Sequence, residues 1–346
     1  MMVPMNRPSA INEGFRLVVR DPALLLAELA WRWSFRLAAL VLVGVSVYEV
    51  QRAVVVSPTD EFLLGSMQPL LVAQAWSHLL QQIWPLMARV AAVLLPALTL
   101  MWIAAATFGR AVTIRNLVER AAAEEEIKAA HAETSSAAEE PVFLRGSEWR
   151  HRAATLGRTR WGALVALHSF RAAVGLSVVL GYTGSAMIAS RFVVLTKDAP
   201  QNFDLAMIVF VLVFSLVVMV ASALNWVLAL APIFAVRDGR RTWESLREAM
   251  RMFRDRGSQF TAAAAVNGVL RFAAAGVASV AGLLPLTMLG EAPGWFVWGL
   301  VALVTIFYFA VSDWLLLTRM GAYVAVVERA AQEDSSLRPL ESAQQS

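Results

Sequence analysis

Three arginines recur at one position within three similar stretches of the sequence. Arg36, Arg171 and Arg271 each follow an aromatic residue or leucine and come just before a pair of small residues, inside long apolar runs. The arginine side chain is a planar, permanently charged fork of donors that suits phosphate and carboxylate oxygens. These residues therefore indicate either an anion-binding cavity or a structural role, in which the side chains snorkel or bond to helix carbonyls.

Few polar side chains accompany these arginines inside the apolar runs. A charge buried in an apolar surrounding is costly unless it is paired. We predict that Asp313 pairs with Arg271, or alternatively with Arg36. Asn225 is the neutral polar side chain at the corresponding place in an earlier run.

Two further polar groups lie beside the first and second arginines. Glu28, Arg32 and Arg36 follow one another at intervals of four residues, which places them on one helix face. We expect Glu28 to neutralise Arg32. His168 lies one helical turn before Arg171, where it is either a hydrogen-bonded core histidine or a proton relay.

The composition determines which elements must position these side chains. The 346 residues are 58% apolar and 16% charged, whereas soluble domains have about 45–50% apolar and about 25% charged residues. Six stretches are apolar over the length of about 20 residues that a transmembrane helix needs; they are residues 24–50, 86–109, 163–190, 205–236, 260–289 and 295–327. The predicted fold is an all-α polytopic membrane protein with six transmembrane helices in a single membrane domain, residues 1–346.

The basic residues lie mostly on one side of these predicted spans. Only Arg52, Arg89, Arg191 and Lys197 fall on the other side, and the positive-inside rule then places both termini in the cytoplasm. This asymmetry explains the sequence pI near 9.9 without nucleic acid as a partner. We expect a multi-pass protein of the bacterial inner membrane whose first span is an uncleaved anchor.

A threefold internal repeat organises the chain. A glutamate lies twenty-three residues before each repeat arginine. Nine residues after each of these glutamates comes a helix breaker. The glutamates are Glu13, Glu148 and Glu248, and the breakers are Pro22, Gly157 and Gly257. Each even-numbered span carries a tryptophan, interpreted as a packing residue or a stacking platform: Trp102, Trp226 and Trp314.

We interpret the repeat as three pseudo-repeated hairpins, each preceded by a short amphipathic helix in the membrane interface. The predicted repeat units are residues 10–120, 145–239 and 240–329. Residues 130–144 are predicted to be a flexible cytoplasmic linker, and residues 335–346 a disordered tail.

Signatures of catalysis are missing from the sequence. There is no cysteine, no phosphate-binding loop, no dinucleotide fingerprint, no zinc-binding helix motif and no nucleophile elbow. The four histidines have no metal-like spacing. We therefore expect a non-enzymatic protein without metal or cofactor.

One stretch carries a resemblance to known proteins. The segment Trp-Glu-Ser-Leu-Arg-Glu-Ala-Met-Arg-Met-Phe, residues 243–253, follows the Pro-bearing run Ala-Pro-Ile-Phe-Ala-Val, residues 231–236. This order resembles the six-helix bacterial membrane domains fused to some glycerophosphodiester phosphodiesterases, and related uncharacterised integral membrane families. The resemblance implies a bacterial inner-membrane protein linked to lipids. The chain has no phosphodiesterase domain, so that activity does not carry over.

Three functions remain open on the sequence. The first is binding of an anionic lipid headgroup or metabolite through the intramembrane arginines. The second is a small transporter or permease subunit, with Asp313 and His168 in a proton or substrate path. The third is a membrane scaffold that recruits a protein partner or anionic phospholipid through its basic cytoplasmic face, residues 237–256.

Overall fold

The computed structural model describes residues 9–66, 68–134, 160–192 and 203–344, and within them every regular element is a helix. The eight helices are α1 (Ala10–Val19), α2 (Pro22–Ala53), α3 (Pro58–Gly65), α4 (Pro69–Thr134), α5 (Trp161–Ser190), α6 (Phe203–Arg237), α7 (Thr242–Leu286) and α8 (Gly294–Gln344). Six of them, α2 and α4 to α8, are long and apolar enough to cross a membrane. The chain is therefore a multi-pass membrane protein on the evidence of its helices.

Local sequence signals place several helix ends. The Ser9 side chain caps α1 by accepting a hydrogen bond from the backbone N–H of Asn12 at 3.3 Å. Helix α2 begins at Pro22. Proline lacks an N–H group, and at the first helical position this group would have no partner within the helix. In α7, Arg256 has non-helical backbone angles (φ −131°, ψ 25°) immediately before Gly257. The chain thus breaks at the first and third predicted breakers, and Gly157 lies outside the described residues.

Helix α4 is longer than the sequence pattern predicts. It begins at Pro69 and reaches Thr134, so the segment before the predicted second span is continuous with that span. Helix α4 enters the predicted linker, and α8 continues to Gln344 through much of the predicted tail. Alanine and glutamate, which have high helix propensity, dominate residues 121–134 and explain the extension of α4.

The described chain forms two compact units. The larger comprises Met1–Leu29 and Thr107–Ser346, and the smaller comprises Ala30–Ala106. In the larger unit, α5 packs along α6, α6 along α7, α7 along α8, and the short α1 along α8. Its core is apolar and includes Leu17, Val18, Ile114, Leu117, Leu164, Leu167, Leu230, Phe234, Leu317 and Val324.

This core occupies only part of each long helix in the larger unit. Leu164 and Leu167, near the start of α5, are buried, whereas Val179 and Leu180 further along the same helix are exposed. Exposed large apolar side chains on a span-length helix are what a lipid surrounding requires, because lipid tails solvate them.

The smaller unit contains a capped helix of its own. The Asp60 backbone N–H donates to the Ser57 hydroxyl at 3.1 Å, and the Ser57 N–H donates to the Asp60 carboxylate at 3.4 Å. His78 Nδ1, on α4, lies 3.0 Å from Oδ1 of Asp60. These bonds fix the start of α3 against the first part of α4.

Candidate functional site, an arginine-lined cavity

A cavity in the larger unit is lined by α4, α5, α6 and α8. It opens to the surface, and its free volume is about 20 Å³, room for about one water molecule. Its polar walls are Arg110, His168, Arg171, Arg319 and Tyr323. The remaining lining is apolar.

Helical spacing brings these side chains to one place. His168 and Arg171 are three residues apart on α5, and Arg319 and Tyr323 are four residues apart on α8, so each pair shares a face. The guanidinium carbon of Arg319 lies 5.9 Å from the centre of the Tyr323 ring, within cation–π range. Arg110 enters from α4, where its guanidinium contacts the sulfur of Met320.

His168 is held in one tautomer by its own helix. Its side chain is buried, and Nδ1 lies 2.8 Å from the carbonyl oxygen of Leu164. A carbonyl only accepts hydrogen bonds, so Nδ1 carries the proton. In the neutral ring Nε2 is then an acceptor, and protonation turns it into a further donor.

The polar side chains of this cavity are of the types that bind oxyanions in other proteins. Three guanidinium groups and one imidazole line it, and no carboxylate is among the described residues of its wall. Arginine forks bind phosphate or carboxylate oxygens through paired, charge-assisted hydrogen bonds.

Two of the residues predicted from the sequence, His168 and Arg171, meet in this cavity. Arg271 lies elsewhere, where its Nε donates to the Ser312 hydroxyl at 3.1 Å. Asp313, the next residue, is buried, and its pairing with Arg271 stays a prediction. Asn225 is half-buried on α6.

The predicted group on the first span is divided between the two units. Glu28, in the larger unit, is fully buried and accepts a hydrogen bond from the Thr113 hydroxyl at 2.5 Å. Arg32 and Arg36 belong to the smaller unit. The Arg32 guanidinium lies 5.0 Å from the centre of the Trp31 ring. Neutralisation of Arg32 by Glu28 remains a prediction.

Sequence reasoning missed Arg110, Arg319 and Tyr323. Arg110 directly follows the predicted second span and Arg319 lies near the end of the predicted sixth, so both count among the basic residues of the inner side in the positive-inside pattern. A signal was present nonetheless, since both lie within apolar helical stretches that run on to Ala123 and Glu333.

A buried polar contact between α7 and α8 was also missed. The Thr318 hydroxyl donates to Oδ1 of Asn267 at 3.0 Å, and Nδ2 of Asn267 donates to the Ala263 carbonyl at 2.9 Å. Both polar side chains are buried and satisfied. This contact fixes the packing of two spans and needs no ligand.

Two of the repeat tryptophans, Trp226 and Trp314, make aromatic contacts with neighbouring helices. Trp314 on α8 meets Phe15 on α1, with ring centres 5.5 Å apart. Trp226 on α6 meets Phe253 on α7, also at 5.5 Å. Trp102 lies in the smaller unit. The contacts of Trp226 and Trp314 favour the packing interpretation of these residues over a stacking platform.

Ion pairs connect several helix ends in the larger unit. Arg329 on α8 donates to Glu13 on α1 at 2.5 Å, and Arg240 donates to Glu248 on α7 at 2.6 Å. Arg237 at the end of α6 forms an ion pair with Glu328 on α8, in which Nε of Arg237 lies 2.7 Å from Oε1 of Glu328. The glutamates that define the repeat are thus bound to arginines in both copies that the structure describes.

Comparison of the chain with known protein families, with characterised proteins and with solved structures found no match.

Proposed function

We propose that this protein is a non-enzymatic integral membrane protein that binds an anionic group in the arginine-lined cavity. The observation that carries the proposal is the convergence of Arg110, Arg171 and Arg319 on one cavity wall beside His168. The ligand is an anionic lipid headgroup or a small anionic metabolite, since both present the same oxygen atoms to the guanidinium groups.

The depth of the cavity suits a headgroup in the inner leaflet. His168 and Arg171 are seven and ten residues from the start of α5 at Trp161, which is about 10–15 Å along a helix. Arg160 and Trp161 stand at that start, and such residues favour the membrane interface. We propose the bacterial inner membrane, with both termini in the cytoplasm, from the distribution of arginines in the sequence.

The proposed architecture is three hairpins, each entered by an amphipathic interfacial helix. Two contacts support it: Glu13 binds Arg329 near the end of the sixth span, and Glu248 binds Arg240 just after the fourth. The aromatic pair Phe15–Trp314 joins the same two helices as Glu13 and Arg329, and Trp226–Phe253 joins α6 to α7. The loose sequence resemblance to lipid-linked six-helix membrane domains agrees with this architecture and with a lipid ligand.

Native mass spectrometry of the purified protein tests the ligand. The wild type is compared with the Arg171→Gln, Arg319→Gln variant and with a control in which exposed Arg115 and Arg191 are changed to Gln. Phosphatidylglycerol and inorganic phosphate are titrated separately, so the two sources of the anion are distinguished. We expect binding to weaken at least about tenfold per cavity arginine, because a charged hydrogen bond contributes about 1.5–3 kcal/mol.

The control variant should bind as the wild type does, and all three proteins should show the same thermal unfolding in detergent. Equal binding by the wild type and the folded cavity variant would overturn the proposal.

A proton-coupled transporter is the second candidate function. It is favoured by one observation: His168, whose imidazole ring can carry a proton at either nitrogen, is buried against the same cavity. Uptake into proteoliposomes under a proton gradient tests it. Transport that persists in both His168→Asn and Asp313→Asn would exclude this mechanism.

A further inference from the structure

The first segment of α7 carries a stripe of arginines and large apolar side chains. We define the arginine stripe as Trp243, Leu246, Arg247, Met250, Arg251 and Arg254, which together line one shallow surface groove. These positions recur every three or four residues, so they share one face of the helix.

The opposite face of this segment is packed into the protein. Ser245 and Ala249 are fully buried, and Phe253 lies against Trp226 of α6. Because this packing fixes the rotation of the helix about its axis, the stripe faces outward, and only Leu246 at its edge packs against the core. The stripe ends where Arg256 breaks the helix before the fifth span.

The stripe exposes large apolar side chains beside its arginines. Trp243 is 71% and Met250 is 57% exposed. Beside them the side chains of Arg251 and Arg254 are 64% and 81% exposed. Asp255 lies 3.7 Å from Arg251 and 3.5 Å from Arg254, so the stripe keeps a positive excess after this partial neutralisation.

The stripe is continuous with the apolar surface of a membrane-spanning helix. The ring of Trp243 lies 5.8 Å, centre to centre, from that of Phe170 on α5. Phe170 is itself exposed and lies within the span Trp161–Ser190. Trp243 therefore borders the surface that faces lipid tails, and the arginines follow it along the same helix face.

We propose that the arginine stripe docks onto the anionic phospholipids of the membrane leaflet that it borders. Tryptophan and methionine enter the boundary between headgroups and acyl chains, and the arginines bind the headgroup phosphates. The stripe and the arginine-lined cavity share no residue, so this inference stands apart from the proposed function.

Site-specific quenching tests the proposal in the full chain. The protein has no cysteine, so Met250→Cys gives a single site for a fluorescent label. The labelled protein is placed in phosphatidylcholine nanodiscs that contain trace phosphatidylglycerol or trace phosphatidylcholine, each with the same acyl-chain nitroxide. We expect stronger quenching by phosphatidylglycerol, and we expect high salt to reduce the difference.

Two triple variants complete the experiment. Arg247, Arg251 and Arg254 are changed to Gln, and a matched control carries Arg52→Gln, Arg89→Gln and Arg191→Gln on the predicted outer side. A basic residue near an anionic membrane surface raises affinity about fivefold, so removing the stripe should abolish the preference while the control keeps it. Arg→Lys changes at the three stripe positions should largely preserve it, which separates charge from folding.

Equal quenching by the two lipids in the wild type would overturn the proposal. So would a preference for phosphatidylglycerol that survives removal of the three stripe arginines. If the stripe instead binds an acidic protein, it has no preference among lipids. The two nitroxide lipids would then quench the label equally.

Discussion

Arg329 and Glu13 are 316 residues apart in the sequence, yet the Arg329 guanidinium donates to the Glu13 carboxylate at 2.5 Å. The two side chains are 20% and 8% exposed. The pair attaches α1, the first described helix, to α8, the last. The contact between Phe15 and Trp314 joins the same two helices, so an ion pair and an aromatic pair together connect the two ends of the larger unit.

Breaking this ion pair should loosen α1. We expect Glu13→Gln and Arg329→Gln each to destabilise the protein, and the double variant to be less destabilised than the sum. The coupling should be about 1.5–3 kcal/mol, the usual contribution of a charged hydrogen bond. Chemical unfolding in detergent, followed by tryptophan fluorescence, measures the double-mutant cycle. Strict additivity would show that the two residues do not interact.

A close backbone approach beside this pair gives a second prediction. A Cβ atom added at Gly14 would lie 2.5 Å from the backbone nitrogen of Ala322 and 2.6 Å from the carbonyl oxygen of Thr318. Neither backbone atom can move without shifting α8, so Gly14→Ala should cost about 1–3 kcal/mol. Gly276→Ala is the control, because its Cβ would meet nothing within 4 Å.

Amide hydrogen exchange over residues 10–19 measures the stability of α1 in these variants. Gly14→Ala should increase exchange in α1 relative to the wild type, and Gly276→Ala should leave α1 unchanged. Equal protection of α1 in both variants would contradict the close approach.

The sequence predicts the elements of this fold better than their contacts. Hydropathy locates the six spans because lipid selects for long apolar runs, and Pro22 and Gly257 predict chain breaks through local backbone chemistry. The aligned glutamates Glu13 and Glu248 are both bound to arginines. Sequence spacing does not predict which arginines these are. Which arginine pairs with each glutamate depends on which helices pack together. Helix packing in turn depends on how side chains fit along whole helices.

The sequence predicts only the part of the candidate site that lies on one helix. His168 and Arg171 share a face of one helix, and a helical spacing rule suffices to find them. Arg110 and Arg319 reach the cavity from two other helices, so their role depends on the relative depth of three spans. Hydropathy assigns such depths only to within a turn or two, which is the difference between a residue at the interface and one lining a cavity.

The cap of α3 predicts a local dependence on pH. The Ser57 hydroxyl donates to the Asp60 carboxylate at 2.6 Å and, with a smaller contribution from His78, lowers the pKa of Asp60 below its ordinary value. A depressed carboxyl pKa stabilises the folded state above the ordinary pKa of the group. That stabilisation is lost as the pH falls through the lowered value.

Hydrogen exchange of residues 58–65, corrected for intrinsic exchange rates, measures the effect. Protection of α3 in the wild type should fall in acid, whereas Asp60→Asn should be less protected at neutral pH and insensitive to acid. Glu61→Gln is the control, since Glu61 sits in the same first turn. Identical pH profiles for the wild type and Asp60→Asn would exclude the carboxylate as the cause.

The proposed repeat makes a prediction about Glu148, which lies outside the described residues. Arg329 comes fifteen residues after Trp314, and Arg240 comes fourteen residues after Trp226. The same spacing from Trp102 reaches Asn116, at the corresponding part of α4. If the three copies are equivalent, Glu148 approaches Asn116 as Glu13 approaches Arg329.

Cysteine cross-linking tests this equivalence in a chain that has no cysteine of its own. A short bis-maleimide should join Glu148→Cys to Asn116→Cys, and it should join the positive control pair Glu13→Cys and Arg329→Cys. The pair Asn116→Cys and Arg191→Cys should not react, because Arg191 is predicted on the opposite side of the membrane. Efficient cross-linking of the positive control without any product for Glu148 and Asn116 would mean that the second copy docks differently, and the threefold repeat would then be limited to its first and third members.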